Sequence, residues 1–278
     1  MSERRWIITG CSTGIGRAIA EHVLNRGERV AVTARNPDDV KDLVAAHGDR
    51  AIAVRLDVAD PDQVSAAVAE AEARFGGIDV LVNNAGYGYV SSIEEGDIDS
   101  IKGMFDVNLF GALRMMQAVL PGMRSRRSGS IITISSLAGR ISNPATGFYS
   151  SSKFALEGLS EALSREVEDL GIRVCSIAPG MFRSDFSGRS LKTGEKGVSD
   201  YSDGVHARIE LVKSADGRQM GDPDKLAAMV VSVADMEKPP RQLIAGPDAY
   251  AAITARMDEI RAAMEQHRET SIATNFDE

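Results

Sequence analysis

Tyr149 and Lys153 are the two residues of this sequence best suited to move a proton. They stand at positions i and i+4 of a helical pattern, so their side chains leave the same face of a helix. A phenol with a pKa of about 10 is a poor acid or base at neutral pH, but a nearby ammonium stabilises the phenolate and lowers that pKa. Ser136, at the end of an apolar run, could hydrogen bond the same substrate oxygen, and Asn108 could anchor a water leading to Lys153. The set predicts acid–base chemistry at a carbonyl or hydroxyl oxygen.

A second segment predicts a phosphate-binding loop. Gly10, Gly14 and Gly16 follow the apolar run 6–8 and open a helical pattern. In such a loop the glycines permit a tight turn and close approach to a pyrophosphate, and the helix presents free N–H groups and its positive dipole end. Glycine spacing alone is a weak signal, but its place directly after the first strand favours a dinucleotide site. The candidate residues of this loop are Gly10, Ser12, Thr13, Gly14, Ile15 and Gly16.

The residue after the second strand-like run distinguishes two cofactors. An acidic residue there would bind the ribose 2′-hydroxyl of NAD(H), whereas an arginine can pair with the 2′-phosphate of NADP(H). The run ends Val32-Thr33-Ala34-Arg35 and has no acid at that point. Arg35 therefore favours NADP(H). NAD(H) stays open, because Arg35 could also be a solvated loop cation.

Composition and charge argue against several other classes of protein. The formal net charge of −8 argues against nucleic-acid binding, which needs a basic face. No apolar run approaches the length of a membrane span, and the N-terminus leads directly into an apparent strand, so we expect no membrane partner and a cytoplasmic protein. Cys11 and Cys175 are expected to be free thiols. The four histidines lack the spacing of metal ligands, which predicts no metal site.

Apolar strand-like runs alternate with helical patterns along most of the chain. Strands are predicted at 5–9, 29–34, 51–56, 80–83, 130–135, 173–178 and 242–245, and helices near 15–26, 37–46, 61–75, 97–124, 148–169 and 223–235. The alternation predicts an α/β fold: a Rossmann-type doubly wound parallel sheet of about seven strands with helices on both faces.

No linker or repeat divides the chain, so residues 1–278 are predicted to form a single dinucleotide-binding and catalytic domain. Residues 184–221 lack periodicity, and so long an irregular stretch predicts a substrate lid or a disordered insert. Residues 247–278 are expected to form a C-terminal helix and tail.

The ordered motifs of this chain resemble those of the short-chain dehydrogenases/reductases, in their compact single-domain subgroup. Residues 9–16 fit that family's Thr-Gly-x-x-x-Gly-x-Gly loop, and residues 83–86 fit its Asn-Asn-Ala-Gly element. The other matches are a catalytic tetrad, an adenine-contacting pair and a Pro-Gly turn. They fall on Asn108, Ser136, Tyr149 and Lys153, on Asp57 and Val58, and on Pro179 and Gly180.

The resemblance implies an oxidoreductase that interconverts a carbonyl and a secondary alcohol by hydride transfer with NADP(H). Tyr149 would be the general acid in reduction and the base in oxidation. Lys153 would also bind the nicotinamide ribose, while Ser136 would polarise the carbonyl and Asn108 would support the proton relay. Besides the glycine loop and Arg35, the implied cofactor contacts are Asp57, Val58, Asn84, Ala85, Gly86, Tyr149, Lys153, Pro179, Gly180 and Ser184. The resemblance also implies a homodimer or homotetramer.

Two positions depart from the family pattern. Ser184 stands where the family often has threonine, and its hydroxyl can still bind the nicotinamide carboxamide. NADP-preferring relatives often have a second basic residue inside the glycine loop, where this chain has Thr13, with Arg17 nearby on the helix. The expected preference for NADP(H) therefore rests on Arg35.

Apolar and aromatic residues follow several strand ends, where open α/β sheets bind ligands. They predict a pocket for a bulky, largely apolar ketone or alcohol, although several could be ordinary core residues. They are Tyr87, Tyr89, Leu137, Ile141, Phe148, Met181, Phe182 and Phe186. A further stripe on the C-terminal helix is expected to pack on its own domain, with the substrate mouth or another subunit as alternatives. Its members are Ile253, Met257, Ile260 and Met264.

Two other functions fit this sequence less well. A catalytically idle NADP(H)-binding regulator would be expected to have lost Tyr149 or Lys153, and both are present. A nucleotide-sugar epimerase or dehydratase would usually have a differently spaced glycine loop and a larger C-terminal substrate domain. Neither feature occurs in this sequence.

Overall fold

A computed structural model of the chain describes residues 3–184, 186 and 188–276. These residues contain nine strands: β1 (Arg5–Ile8), β2 (Arg29–Ala34), β3 (Ala51–Arg55), β4 (Val80–Asn83), β5 (Gly88–Val90), β6 (Gly129–Ile134), β7 (Ile172–Pro179), β8 (Leu191–Thr193) and β9 (Gln242–Ala245). Seven of them form one sheet in the order β3-β2-β1-β4-β6-β7-β9, and every neighbouring pair is parallel. The predicted Rossmann-type sheet of seven strands is confirmed.

Helices connect the strands; those predicted at 61–75 and 223–235 have these bounds, whereas the helix predicted at 37–46 is a 3₁₀ turn over 37–40 followed by an α-helix from Lys41. They are α1 (Gly14–Asn25), α2 (Lys41–His47), α3 (Pro61–Phe75), α4 (Ile98–Phe105), α5 (Ala112–Arg126), α6 (Gly147–Glu166), α7 (Ala207–Ser214), α8 (Pro223–Asp235), α9 (Pro247–Gln266) and α10 (Arg268–Ile272). Asp60 caps α3, because its Oδ1 accepts hydrogen bonds from the backbone N–H groups of Asp62 and Gln63 at 2.9 and 3.2 Å.

The sheet separates two hydrophobic cores because successive strand residues face opposite sides. In β1, the side chains of Trp6 and Ile8 are buried in the core shared with α1 and α8, whereas Ile7 is buried in the core shared with α3 and α5. Helices thus cover both faces. The carboxyl ends of the parallel strands meet at one edge of the sheet, where open α/β sheets bind ligands.

The predicted helix over 97–124 is interrupted in the structure. A π-helical turn, Asp106–Gly111, separates α4 from α5 and includes Asn108. Apolar periodicity does not reveal such a turn, since the residues on either side keep a helical pattern. Turns of this kind are often found at functional sites.

The predicted lid is more regular than its composition indicates. Its residues 185 and 187 lie outside the described residues, and we use the name covering segment for the described part, residues 184, 186 and 188–221. It contains β8, which pairs in parallel with β5, a π-helical turn (Ser202–His206) and α7. Within the covering segment only Ile209 and Gln219 are buried. That it acts as a lid stays a prediction.

The C-terminal stripe does not pack as expected. Ile253 is buried, but the side chains of Met257, Ile260 and Met264 are 59%, 43% and 69% exposed. The prediction that this stripe packs on its own domain was therefore wrong beyond Ile253. Residues 277 and 278 of the predicted tail lie outside the described part of the chain, and the residues before them include α10. Among the described helices, none is long and apolar enough to cross a membrane.

Candidate active site

The carboxyl edge of the main sheet opens into a cavity of about 550 Å³. Most residues predicted to bind cofactor or substrate line this cavity. They are Gly10, Ser12, Thr13, Gly14, Ile15, Arg35, Asp57, Val58, Asn84, Ala85, Gly86, Ser136, Tyr149, Lys153, Pro179, Gly180 and Ser184. Two predicted residues, Gly16 and Asn108, do not line it and instead lie behind its wall, where they contact residues that do.

The glycine loop turns sharply after β1. Gly10 has φ +73°, a backbone conformation that other residues rarely adopt. A Cβ atom at Gly16 would lie 2.2 Å from the carbonyl oxygen of Gly10, so only glycine permits this approach of helix and loop. The Asn84 side chain holds the loop against β4, since its Nδ2 donates to the carbonyl oxygens of Thr9 and Gly10 at 2.9 and 3.1 Å.

Thr9 is a positioning residue that was not among the predicted site residues. Its side chain is buried, and its Oγ1 accepts hydrogen bonds from the backbone N–H groups of Asn84 and Ala85, both at 2.9 Å. Thr9 therefore fixes the loop after β1 to the loop after β4. Its position as the first residue of the glycine motif is the sequence feature that could have identified this role.

The first turn of α1 is arranged to receive an anion. Thr13 is the N-cap residue of α1, yet its hydroxyl accepts a hydrogen bond from Arg189 Nη2 at 3.0 Å rather than from the helix. The N–H groups of the first turn and the guanidinium of Arg189 therefore lie at the same end of the cavity. Arg189 comes from the covering segment, 176 residues away in sequence, and no local pattern could have predicted this contact.

Two other arginines near the loop have different surroundings. The Nε of Arg17 donates to Glu21 Oε1 at 2.9 Å, and its Nη2 pairs with Asp42 Oδ2, so Arg17 is engaged on the outer face of α1. Arg35 is exposed, lines the cavity and follows β2 as predicted. Asp57 also lines the cavity, and its Oδ1 accepts from the N–H of Ala59 at 3.0 Å.

Tyr149 lies near the start of α6 with its side chain almost fully buried. Burial raises the pKa of Tyr149 to about 12, and its interaction with the Ser136 hydroxyl acts in the opposite direction. The expectation that Lys153 would lower this pKa is not met, because desolvation of the phenolate dominates. A phenol in this state keeps its proton at neutral pH. The ring of Phe186, from the covering segment, lies 5.1 Å from the Tyr149 ring.

Lys153 is buried one turn further along α6. Its Nζ donates to the carbonyl oxygen of Ile134, at the end of β6, at 3.0 Å and lies 5.9 Å from the centroid of the Tyr149 ring. Burial lowers the pKa of Lys153 to about 8, although the nearby Glu157 carboxylate raises it. The ammonium is therefore present at neutral pH but is readily lost in mild alkali.

Ser136 and Asn108 are held by hydrogen bonds to the backbone. Ser136 Oγ accepts from the N–H of Ala138 at 3.1 Å, and its own proton can be donated to the Tyr149 oxygen or to a substrate oxygen. Asn108 Oδ1 accepts from the N–H of Tyr87 at 3.0 Å, while its Nδ2 donates to the carbonyl oxygen of Tyr87 at 2.9 Å and to Ser152 Oγ at 3.1 Å. One lone pair of Oδ1 remains for a water, so the relay role of Asn108 stays a prediction.

The turn after β7 brings Pro179, Gly180 and Ser184 to the cavity. Asp248, at the start of α9, stabilises this turn, because its Oδ2 accepts from the N–H of Met181 at 2.8 Å. Asp248 was not predicted as a positioning residue. Ser184 Oγ accepts from the N–H of Phe186 at 3.4 Å and faces the cavity, as its proposed carboxamide contact requires.

The apolar residues after the strand ends divide into two groups. Five of them, Tyr87, Leu137, Met181, Phe182 and Phe186, line the cavity. The others do not, and Tyr89 is buried in a small core, where its ring lies 6.1 Å from that of Phe148. The prediction that these residues line a pocket is therefore confirmed for the first group, and the alternative of ordinary core residues holds for Tyr89. The cavity wall near Tyr149 is largely apolar.

Comparisons with known proteins agree with this geometry. The chain matches the family model of short chain dehydrogenases over residues 4–194. The oxidoreductase BOA17 of Botryotinia fuckeliana is 39% identical over 271 residues, which are 97% of this chain and 98% of that protein. A crystal structure of a short-chain dehydrogenase from Streptomyces avermitilis has 40% identity and a TM-score of 0.93, covering 99% of this chain and 100% of that one. An alcohol dehydrogenase from the archaeon Thermococcus sibiricus, complexed with 5-hydroxy-NADP, has 26% identity and a TM-score of 0.71, with 87% and 96% covered.

Proposed function

We propose a reaction for this chain from the premise that it belongs to the short-chain dehydrogenase family: it interconverts a ketone and a secondary alcohol by hydride transfer, with NADP(H) as the hydride carrier. The proposal is carried by one observation. Tyr149, Lys153 and Ser136 line the same cavity as the glycine loop. A dinucleotide whose pyrophosphate lay at the loop could therefore extend along the strand ends to the groups that transfer the proton.

The residues present fit such a cofactor. The close approach of Gly16 to Gly10 and the free N–H groups of α1 suit a pyrophosphate. Asp57 and Val58 would contact the adenine, and residues 84–86 together with Tyr149 and Lys153 would bind the nicotinamide ribose. Residues 179, 180 and 184 would contact the carboxamide. When bound, NADPH supplies the hydride.

In the direction of reduction, Tyr149 would protonate the substrate oxygen. Its pKa of about 12 keeps the phenol protonated at neutral pH, which suits an acid better than a base. Ser136 would donate a hydrogen bond to the same oxygen and stabilise the charge that develops there. The Lys153 ammonium would stabilise the phenolate that remains. In oxidation the same groups would act in reverse.

Two arginines support NADP(H) as the preferred cofactor. Arg35 follows β2, where the 2′-phosphate would lie, and no carboxylate of β2 competes for that place. Arg189 lies at Thr13 and supplies the second basic group that the glycine loop itself lacks. The alcohol dehydrogenase from Thermococcus sibiricus, a similar protein, has an NADP derivative bound. NAD(H) remains the alternative cofactor, and the experiment below compares NADH with NADPH.

Other expectations stay predictions. They are a single domain over 1–278, a homodimer or homotetramer, and a cytoplasmic location. The exposed residues Met257, Ile260 and Met264 on α9 support assembly with a second copy. No described feature favours the idle regulator, because the residues that such a protein would lose all lie in the cavity.

The proposal is tested by following absorbance of NADPH or NADH with a panel of ketones. We expect the wild-type protein to oxidise NADPH in the presence of a ketone. Tyr149→Phe should lower kcat by about 10²- to 10⁴-fold, because the proton donor is lost, while NADPH binding is retained. Tyr250→Phe is the matched control, since Tyr250 is 65% exposed on α9, and it should leave kcat unchanged. Full turnover by Tyr149→Phe would refute the assigned proton donor.

A further inference from the structure

The charges that line the cavity differ from those of the whole chain. The chain has a formal net charge of −8, yet the only carboxylate among the described residues lining the cavity is Asp57, whose proposed partner is the adenine. The cations of the lining include Arg35 and Arg189, which the proposed function assigns to cofactor phosphates. Two more, Lys192 and Arg208, have no role in that function.

Arg208 has a buried donor without a partner. Its Nε atom is shielded from solvent and makes no hydrogen bond in the described part of the chain. Because Nε is shielded from solvent, an anion in the cavity would meet the Nη groups of Arg208 instead, for which no hydrogen bond or ion pair is found among the described residues. Val212, one turn later on α7, also lines the cavity, whereas Ile209 packs on the other side against Val90 and Ala145. Residue 145 lies just before α6, which places Arg208 on the Tyr149 side of the cavity.

Lys192 lies on β8 at the same side. Its Nζ is 4.7 Å from the centroid of the Tyr87 ring, a cation–π contact that keeps the ammonium over the apolar wall. Tyr87 in turn is fixed by Asn108, so Lys192 belongs to the substrate side rather than to the 2′-phosphate side. Both cations thus border the apolar lining near Tyr149.

The two other lysines of the covering segment, which do not line the cavity, have an acidic partner. Lys196 Nζ lies 2.5 Å from Glu210 Oε1, and Lys213 Nζ lies 3.4 Å from the same atom. The segment thus neutralises these lysines with an acid. Lys192 and Arg208 make no ion pair among the described residues, and Asp57 is the only carboxylate among those that line the cavity. Two cations without a counter-charge on the substrate side of the cavity favour a negatively charged ligand there.

We infer that Lys192 and Arg208 bind an oxyanion of the substrate, a carboxylate or phosphate, at the end of its apolar body remote from the reacting carbonyl. The inference rests on the proposed function and refines its substrate class. The substrate is then an amphipathic ketone or alcohol, with an apolar part beside Tyr149 and Phe186 and an anion beyond it. A guanidinium fork and an ammonium together suit such a group.

The test compares straight-chain methyl ketones that end in a carboxylate with their neutral methyl esters, with NADPH as cofactor. We expect the wild-type protein to prefer the acid over the ester in kcat/KM by about tenfold or more. Lys192→Met and Arg208→Gln should each remove most of that preference by lowering kcat/KM for the acid, with the ester little changed. Lys196→Met is the matched control and should keep the preference. Ketones that end in a phosphonate separate the two oxyanions.

The outcomes separate this inference from the proposed function. Turnover of both ketones without preference for the acid would overturn the anion site and leave the proposed function standing. Equal loss for acid and ester in both variants would also overturn it, since the cations would then serve structure. If neither ketone is reduced, the anion site is tested by calorimetry on the NADPH-loaded protein. The affinities of straight-chain carboxylates and of their methyl esters are compared, and equal affinity refutes the site. Thermal melting identifies any variant that fails to fold, and Arg208→Lys then replaces Arg208→Gln.

Discussion

The cavity has two walls that are held in place by different kinds of contact. The sheet wall, which consists of the glycine loop, the ends of β4 and β6, and α6, is fixed by buried hydrogen bonds such as those of Thr9 and Asn84. The covering segment buries few side chains and is attached by charges and by one short strand pair. One attachment is made by Glu95, whose carboxylate accepts from the N–H groups of Gly197 and Val198 at 2.8 and 2.9 Å and contacts His206 Nε2 at 2.9 Å.

The difference agrees with the proposed function, in which the sheet wall transfers the proton and the covering segment contributes to substrate choice. Proton transfer needs groups at fixed positions with shifted pKa values, and burial in the sheet wall gives Tyr149 and Lys153 both properties. Substrate preference depends on the side chains that a surface segment presents to the cavity. In a segment attached mainly by polar contacts, these side chains can be substituted without disturbing the hydrophobic core. The predictions below test this division from the sheet wall outwards.

The largest effect is expected at Lys153. Lys153→Met should lower kcat by about 10²- to 10⁴-fold, because the charge beside the phenol is lost. The fold should persist, since methionine removes a buried charge while filling similar space. Lys102→Met is the control, because Lys102 is an exposed residue of α4, and it should change neither kcat nor the fold. Retention of wild-type turnover by Lys153→Met would contradict the assigned role.

The same variant tests the pKa of Lys153. This pKa is about 8 in the folded protein against an ordinary value of 10.5, so the unfolded chain binds more protons between these two values. The contribution of Lys153 to the free energy of unfolding should therefore rise as pH increases from about 8 to 10.5. Burial also raises the pKa of Cys11 and Cys175 from 9.0 to about 12, which lowers stability above about pH 9 in both proteins. Denaturant titrations should therefore show the rise as a change with pH in the difference between wild type and Lys153→Met. An identical pH dependence in both proteins would contradict the depressed pKa.

A smaller effect is expected at Arg35, an exposed residue that follows β2. Arg35→Gln should weaken NADPH binding by about 10- to 100-fold, because a charged hydrogen bond to the 2′-phosphate is lost, and should leave NADH binding unchanged. Fluorescence titration with both cofactors measures this. Arg74→Gln is the control, since Arg74 pairs with Asp49 on the surface of α3. An equal loss for NADH and NADPH would remove Arg35 from the phosphate site.

The two walls also differ in how far the sequence predicts them. The bounds of β2, β4, β9 and α3 agree residue for residue, because apolar runs, the Asp60-Pro61 pair and Gly76 mark them locally. Many cavity-lining candidates follow for a similar reason, since they stand after strand ends, whereas Tyr149 and Lys153 lie on α6 and follow from their i, i+4 spacing. Asn108, in the π-helical turn, hydrogen bonds to Tyr87, which is 21 residues away, and the Arg189–Thr13 contact spans 176 residues. Neither leaves a local pattern.

The smallest effect on chemistry is expected where the covering segment is attached. Glu95→Gln should leave kcat near the wild-type value but raise KM for the ketone several-fold, because a neutral amide accepts hydrogen bonds more weakly than a carboxylate. Residues 188–221 should also be cleaved faster in limited proteolysis, since local opening becomes more frequent. Glu94→Gln is the matched control: Glu94 is the neighbouring residue, and among the described residues its exposed side chain accepts only from the Tyr201 hydroxyl, at 2.7 Å.

The pH dependence of this attachment has a definite sign. Hydrogen bonds from Val198, Ser92, His206 and Gly197 lower the pKa of Glu95 from 4.5 to about 2. The stabilisation is therefore complete above pH 4.5 and is lost as pH falls towards 2. Cleavage of the wild-type covering segment by an acid protease should approach that of Glu95→Gln as pH falls through this range, while the two differ at neutral pH. Equal cleavage of the two proteins at neutral pH would contradict the role of Glu95 in attaching the covering segment. A fall of kcat together with the loss of attachment would show that the two walls are not independent.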